Sequence, residues 1–421
     1  MRRCADGKSS FVCLLCLGLV GACSPFENVS ANNPAIRTDQ SDSGGPGADD
    51  SGPPPEAIVA PFAVAPDRLV PNGDCFLRKP PLEPEASDDD PDGEDVPPLI
   101  LAAHNLRSGD ELDEDGEPMW KTIGYDTDDE CSSQPMSHAC SVAEWATPGA
   151  MGAFDGKDGI DNAVGAAFQH ISDEGSGSAT IAGNDFANAG LRTYVVGIRG
   201  YNGQANDSEV SLSTFAVTFA STPGAQSNKP LWTGGDEWLG FDTFFDVDAG
   251  VPEGETLPPP KFTAEHAYVV QHRVVAHFPG VLSVHGTFSH FVITGTLRER
   301  AGLGWVLEDA VMAGRVLIDD LLQVLDTTND PSHRERICTD HPLYEGFKAV
   351  FCSLGDVSFA GADAQSSLCD GVSWAWGFDA VPAKAVGIQK YEPFYFCPEG
   401  KRPGIDDHCD PNLKQSTEAL R

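Results

Sequence analysis

Apolar positions along much of this chain recur every second residue, the period of a strand that buries one face. Val210 to Phe219 places Val210, Leu212, Thr214, Ala216 and Thr218 on one side. Leu191 to Tyr201 is rich in β-branched and aromatic residues, and Pro98 to Ala103 reads as a first strand. Ala267 to Phe278 and Val281 to Gly295 read as a hairpin joined at Pro279-Gly280. Leu303 to Val316 supplies a further strand or two, and Ser373 to Val381 a late one containing Trp374 and Trp376. Helical spacing is confined to three places: a helix over Ala163 to His170 capped by Asp161, one over Ile318 to Leu325, and one over Leu343 to Leu354. Many strands, few helices and long loops predict a mainly β fold, a β-sandwich of jelly-roll type with a few decorating helices.

The first residues follow a different pattern. Arg2, Arg3 and Lys8 precede an apolar run from Phe11 to Val20, too short for the roughly 20 residues a membrane span needs but suited to a signal peptide. Val20-Gly21-Ala22-Cys23 is similar to a bacterial lipobox, which predicts a signal peptide over 1–22 and lipidation of Cys23. Ser24, in place of aspartate, directs the expectation to the outer membrane. Residues 23–60, dominated by Asn, Ser, Asp, Gly and Pro, read as a disordered tether. Residues 61–96 read as an acidic, Pro-rich linker that is partly docked, with Cys75 able to pin it. The folded domain is expected over 97–397, and a C-terminal tail over 398–421.

Charge narrows the partners. With 27 basic and 64 acidic residues the formal net charge is -37, which repels nucleic acid and anionic headgroups alike. Membrane attachment therefore falls to the lipid. Eight of the twelve cysteines lie beyond the anchor, an even number that in an exported chain predicts disulfides. Cys131–Cys140 and Cys397–Cys409 are the expected pairs, because each closes a short loop of turn residues.

The most distinctive polar run is Asp155-Gly-Lys-Asp158-Gly-Ile-Asp161-Asn162. Glycines let the backbone turn so that Asp155, Asp158 and Asp161 can converge on a cation, and an all-oxygen set suits Ca²⁺. The same run also reads simply as a tight turn with a helix cap. Asp88-Asp-Asp-Pro-Asp-Gly93 opens like an EF-hand loop but lacks the closing glutamate. Trp232 and Trp238, in a Gly/Asp-rich loop, are candidates for stacking on sugar rings or for anchoring the loop in a core. The chain lacks a G-x-S-x-G elbow, a P-loop and H-E-x-x-H, so no catalytic residue is assigned. Two functions stay open: a non-catalytic envelope module that binds a glycan or protein partner, and an extracellular hydrolase that cuts polysaccharide with paired carboxylates.

Several short runs stand in a distinctive order: Asn105 to Asp110, Trp120 to Asp126, Asp158 to Asn162, Gly200 to Gly203 with Asn206-Asp207, Ala267 to Val269, Ala313 to Arg315, and Cys369 to Ser373. In these the chain resembles a set of exported proteins and lipoproteins of the myxobacterial type. Ser108 and the bulky Trp374-Ala375-Trp376 depart from that pattern. The resemblance implies one exported domain, lipid-anchored or secreted, and brings no established activity.

Overall fold

The alternating segments become strands of one curved sheet whose ends meet. The computed structural model describes residues 63–85, 94–132, 140–142, 144–145, 155–173, 178–226, 228–280, 282–283, 287–327, 335–361, 367–391 and 397–410. The signal peptide, Cys23, the tether and Asp88–Gly93 lie outside the described residues.

In chain order the strands are β1 (Arg68–Asn72), β2 (Cys75–Lys79), β3 (Leu99–Arg107), β4 (Thr193–Arg199), β5 (Asp207–Ser221), β6 (Glu237–Phe241), β7 (Thr263–Val270), β8 (Arg273–His277), β9 (Leu282–Ser283), β10 (Thr287–Arg300), β11 (Gly304–Leu317), β12 (Gly371–Pro382) and β13 (Lys384–Gln389). The helices are α1 (Ala163–Asp173), α2 (Ala179–Asn188), α3 (Ile318–Leu322), α4 (Val324–Thr327) and α5 (Tyr344–Cys352).

The expected sandwich is not what forms. Strands β5-β4-β3-β12-β11-β10-β8-β7 pair in that order, all antiparallel, and β7 pairs back onto β5, so eight strands close into a barrel. The long β5 makes closure possible by dividing one edge. Its first half pairs with β7, and its second half, from Val217 onward, pairs with β6. Strand β13 then adds parallel to β6, so the two extra strands form a flange outside the barrel. Alternation fixes which face of a strand is buried, not whether the two edges of the sheet meet, so this closure is invisible to periodicity.

An eight-stranded barrel is just wide enough to be filled by its own side chains. Leu101, Val196, Leu212, Val274, Ile293, Met312 and Phe378 belong to one core, and Trp374 and Trp376 pack against each other within it. The same core runs on into Val164 and Phe168 of α1 and Phe347 and Phe351 of α5. A second core, around Phe215, Trp238 and Phe245, lies between barrel and flange.

The expected pairing across Pro279-Gly280 forms between β8 and β10, antiparallel with Val292 opposite His277, and the first of the two segments is itself folded into a hairpin. Gln271 and His272, both at positive φ (45° and 65°), make the two-residue turn between β7 and β8.

The described cysteines pair as Cys75–Cys131, Cys140–Cys369, Cys338–Cys397 and Cys352–Cys409. The short loops Cys131–Cys140 and Cys397–Cys409 are therefore not closed on themselves. Each of those cysteines ties a loop to a distant element instead. Cys131 holds the hairpin β1–β2 to the fold, so the partly docked linker is a built element from residue 68. Residues 397–410, expected to be mostly tail, are stapled to the α5 region, and His408 and Cys409 are buried against Asp319.

Candidate metal centre

Strand β12 is paired with β3 only from Gly377 onward, so the edge of its first half needs other partners. Asn162 supplies them: its Oδ1 accepts the Ala375 N–H (3.1 Å) and its Nδ2 donates to the Ala375 carbonyl (3.3 Å). The same Oδ1 accepts the Gly165 N–H at 3.0 Å, so Asn162 caps α1 in place of the expected Asp161. This frees Asp161 for a different task.

Asp161 turns under the segment Gly124 to Ser132, where its Oδ2 accepts the Thr127 N–H (2.6 Å) and hydroxyl (2.8 Å). Carboxylate oxygens of Asp161, Asp126 and Asp128 all lie within 4.8 Å of one another, and all three residues are buried. Asp155 sits within hydrogen-bond reach of Asp161, and Asp126 within reach of Asp128. Each carboxylate also holds backbone: Asp155 accepts from Ser132 N (2.6 Å), Asp128 from Glu130 N (2.9 Å) and Asp126 from Asp129 N (3.0 Å). Asp356, nearby, accepts both the amide and the hydroxyl of Ser373 on β12.

The two glycines of the Asp155–Asn162 run are required by close approach. A Cβ on Gly156 would lie 2.5 Å from the Lys121 carbonyl, and one on Gly159, at φ 70°, would lie 2.8 Å from the Phe76 carbonyl of β2. Asp158 lies between them at φ 57° in a turn, outside the carboxylate group. Of the three expected ligands, then, Asp161 is in the group, Asp155 adjoins it and Asp158 stands apart. Asp126, Asp128 and Asp356 come from segments that sequence reasoning did not assign. For Asp126 and Asp128 the signal was the crowded Asp126-Thr127-Asp128-Asp129 run beside Gly124.

Two cations border the group. Lys79 Nζ lies 2.5 Å from both Asp126 Oδ2 and Asp129 Oδ1. Its contact with Asp126 Oδ2 is charge-assisted, so Lys79 partners that buried oxygen. The guanidinium of Arg315, fully buried, donates to the carbonyls of Thr127 and Ser358. Five carboxylates thus face two cations. Burial, with mutual repulsion added, pushes Asp128 up to about 8 and Asp155 up to about 6. Burial also raises Asp356 to about 7, and Asp161 and Asp126 move up for the same reason. Such oxygens must either share protons or surround a cation.

A hard divalent cation fits. Ca²⁺ takes roughly 6–8 oxygens at about 2.3–2.6 Å, so opposite ligands lie about twice that distance apart, comparable with the 4.8 Å bound on this group. Asp126, Asp128 and Asp161 would hold it, with Asp155 beside them.

The two tryptophans proposed for stacking part company. Trp238 is fully buried and packs against Phe219 (5.5 Å) and Trp232 (5.4 Å), so it is a core residue. Trp232 is half-buried and stacks on His104 at 5.3 Å. Trp238→Ala should lower stability by about 3–5 kcal/mol in chemical denaturation, and Trp232→Ala by far less.

No family model matches this sequence, and no curated protein or solved structure is detectably similar to it.

Proposed function

We propose that this chain is an exported cell-envelope protein, lipid-anchored at Cys23 and directed to the outer membrane. Its disulfide-braced barrel serves as a non-catalytic binding or structural module and holds a calcium ion between Asp126, Asp128 and Asp161. The observation that carries the reading is the convergence of buried carboxylates from separate segments, with oxygens of Asp126, Asp128 and Asp161 all within 4.8 Å of one another. The four disulfides support export, since such bonds persist where the medium is oxidising. The carboxylates of this group do not suit a polysaccharide hydrolase, which needs its pair open to substrate, because Asp126, Asp128 and Asp161 are buried and tied to backbone.

The anchor is tested by expressing the full chain with and without Cys23→Ser in a Gram-negative host fed labelled palmitate. The expected result is label and outer-membrane fractionation for the native chain, and neither for the variant. Label and membrane retention that survive Cys23→Ser would refute the anchor.

A further inference from the structure

The other end of β12 carries a second arrangement of polar groups, on the barrel wall. Ser373, which binds Asp356, and Asp379 are six residues apart on this strand, roughly 20 Å at about 3.3 Å per residue. Around Asp379 both neighbouring strands bulge. On β11 the three steps from Leu307 to Ala310 oppose two on β12, and on β3 the three steps from His104 to Arg107 oppose two. The bulges centre on Asp309 (φ 47°) and Asn105 (φ 51°), two non-glycine residues in the left-handed region. Asp379 binds both: its Oδ1 accepts the Asp309 N–H (3.1 Å), and its Oδ2 accepts from Asn105 Nδ2 (3.4 Å) and Arg107 Nη1 (3.3 Å). Paired bulges re-aim side chains and gather beside binding sites, and strain of this kind clusters where a ligand is held.

Between the bulges lies a half-open pocket of about 230 Å³. His104, Asn105, Arg300, Glu308, Asp309 and Asp379 supply its polar groups, and Val381 adds a small apolar edge. Pockets for drug-sized ligands run to roughly 300–1,000 Å³, so this one suits a single ring. Three carboxylates, Glu308, Asp309 and Asp379, line it with one guanidinium, Arg300. Glu308 pairs with Arg300 (2.5 Å) and, from outside the lining, with Arg298 (3.0 Å), and Asp379 pairs with Arg107 (3.3 Å). The excess of carboxylates disfavours an anion, and the ion pairs on Glu308 and Asp379 weaken the pull on a cation. What remains is a close-set mixture of donors and acceptors, bordered by the His104–Trp232 stack. Burial holds the His104 imidazole below its usual range, so at neutral pH it can both donate and accept. Hydroxyl groups both donate and accept, and a sugar ring adds an apolar face.

We infer that this wall pocket binds one neutral saccharide ring, its hydroxyls read by His104, Asn105, Glu308 and Asp379. The site is separate from the carboxylate group and stands whether or not that group takes calcium.

Saturation-transfer NMR on the full chain would use D-glucose, D-galactose, D-mannose and N-acetyl-D-glucosamine, with glucuronate and glucosamine as charged controls. The expected result is transfer to at least one neutral sugar at millimolar concentration, with Kd raised at least tenfold by His104→Ala and by Glu308→Gln. Glu308 is a rim residue, so Glu308→Gln keeps the test valid should His104→Ala impair folding. Absence of transfer to every neutral sugar at tens of millimolar, transfer to a charged control alone, or a Kd unmoved in a folded variant would overturn the assignment.

Discussion

Stripped of divalent cations with EDTA, the protein will melt at progressively lower temperature as the pH rises from about 5 to about 8. The folded chain holds Asp155, Asp356 and Asp128 at about 6, 7 and 8, against 3.8 for an ordinary aspartate, and raises Asp161 and Asp126 as well. A carboxyl whose pKa is higher folded than unfolded takes up protons on folding. Its contribution is therefore most favourable in acid and is lost as pH climbs through the folded value. Against the lowering effect of burial, Asp126 and Asp129 raise Lys79, which stays charged across this window. Burial lowers His104, His277 and His290, whose opposing contribution is complete above about pH 6.5, so the fall is steepest from there to pH 8. Calcium should flatten the fall, because the ion replaces the shared protons and lets the carboxylates ionise in place. At a free concentration about a hundredfold above Kd, calcium adds about 2.7 kcal/mol, of the order of 5 °C in melting temperature. The gain will be larger at pH 8 than at pH 5. Asp161→Asn should remove the calcium effect and reduce the pH slope, and Asp158→Asn should leave both in place. Differential scanning calorimetry in EDTA and in calcium, at each pH, checks the set. A melting temperature that is flat in EDTA would contradict it.

Reduction will be the second large perturbation. Cys338–Cys397 and Cys352–Cys409 each span under sixty residues (separations 59 and 57) and together staple residues 397–410 to the α5 region. Closing a loop of that size in the unfolded chain is worth about 4 kcal/mol per bond in the chain-entropy account. Losing both should release the C-terminal segment and uncover the buried His408–Asp319 contact (3.0 Å). Cys75–Cys131 has a further consequence, since Cys131 ends the segment that carries Asp126 and Asp128 and Cys75 begins β2, which carries Lys79. The paired substitution Cys75→Ser with Cys131→Ser should therefore weaken calcium binding, whereas Cys352→Ser with Cys409→Ser should lower stability and leave calcium affinity close to native. Urea unfolding of the two variants, alongside calcium titration, separates the effects. Equal calcium affinity in both would dissociate the hairpin from the site.

The chain's periodicity located most of the barrel strands and three of the helical regions. It could not report closure, because that depends on which strand edge β7 meets, and β5 looks the same in sequence whether it pairs with one neighbour or three. Hairpin β1–β2 was hidden by short, half-exposed strands such as Arg-Leu-Val-Pro-Asn, whose burial comes from contact with distant loops. At the site, the glycines and acids of Asp155–Asn162 were legible as a turn that gathers carboxylates. Which acid points inward was not, since Asn162 takes the cap and leaves Asp161 for the cluster while Asp158 occupies the turn itself. The partner acids Asp126 and Asp128 lie some thirty residues earlier in the chain, and only the fold brings them to Asp161. The disulfides were legible in number and illegible in pairing for the same reason.

The most direct test of the account is isothermal titration of Ca²⁺ into EDTA-stripped, oxidised full-length protein near pH 7.5, beside Asp161→Asn and Asp158→Asn. The account predicts one saturable site, proton release on binding, loss of the site in Asp161→Asn and its retention in Asp158→Asn. Absence of heat in the native protein, or binding that Asp161→Asn leaves intact, would contradict it.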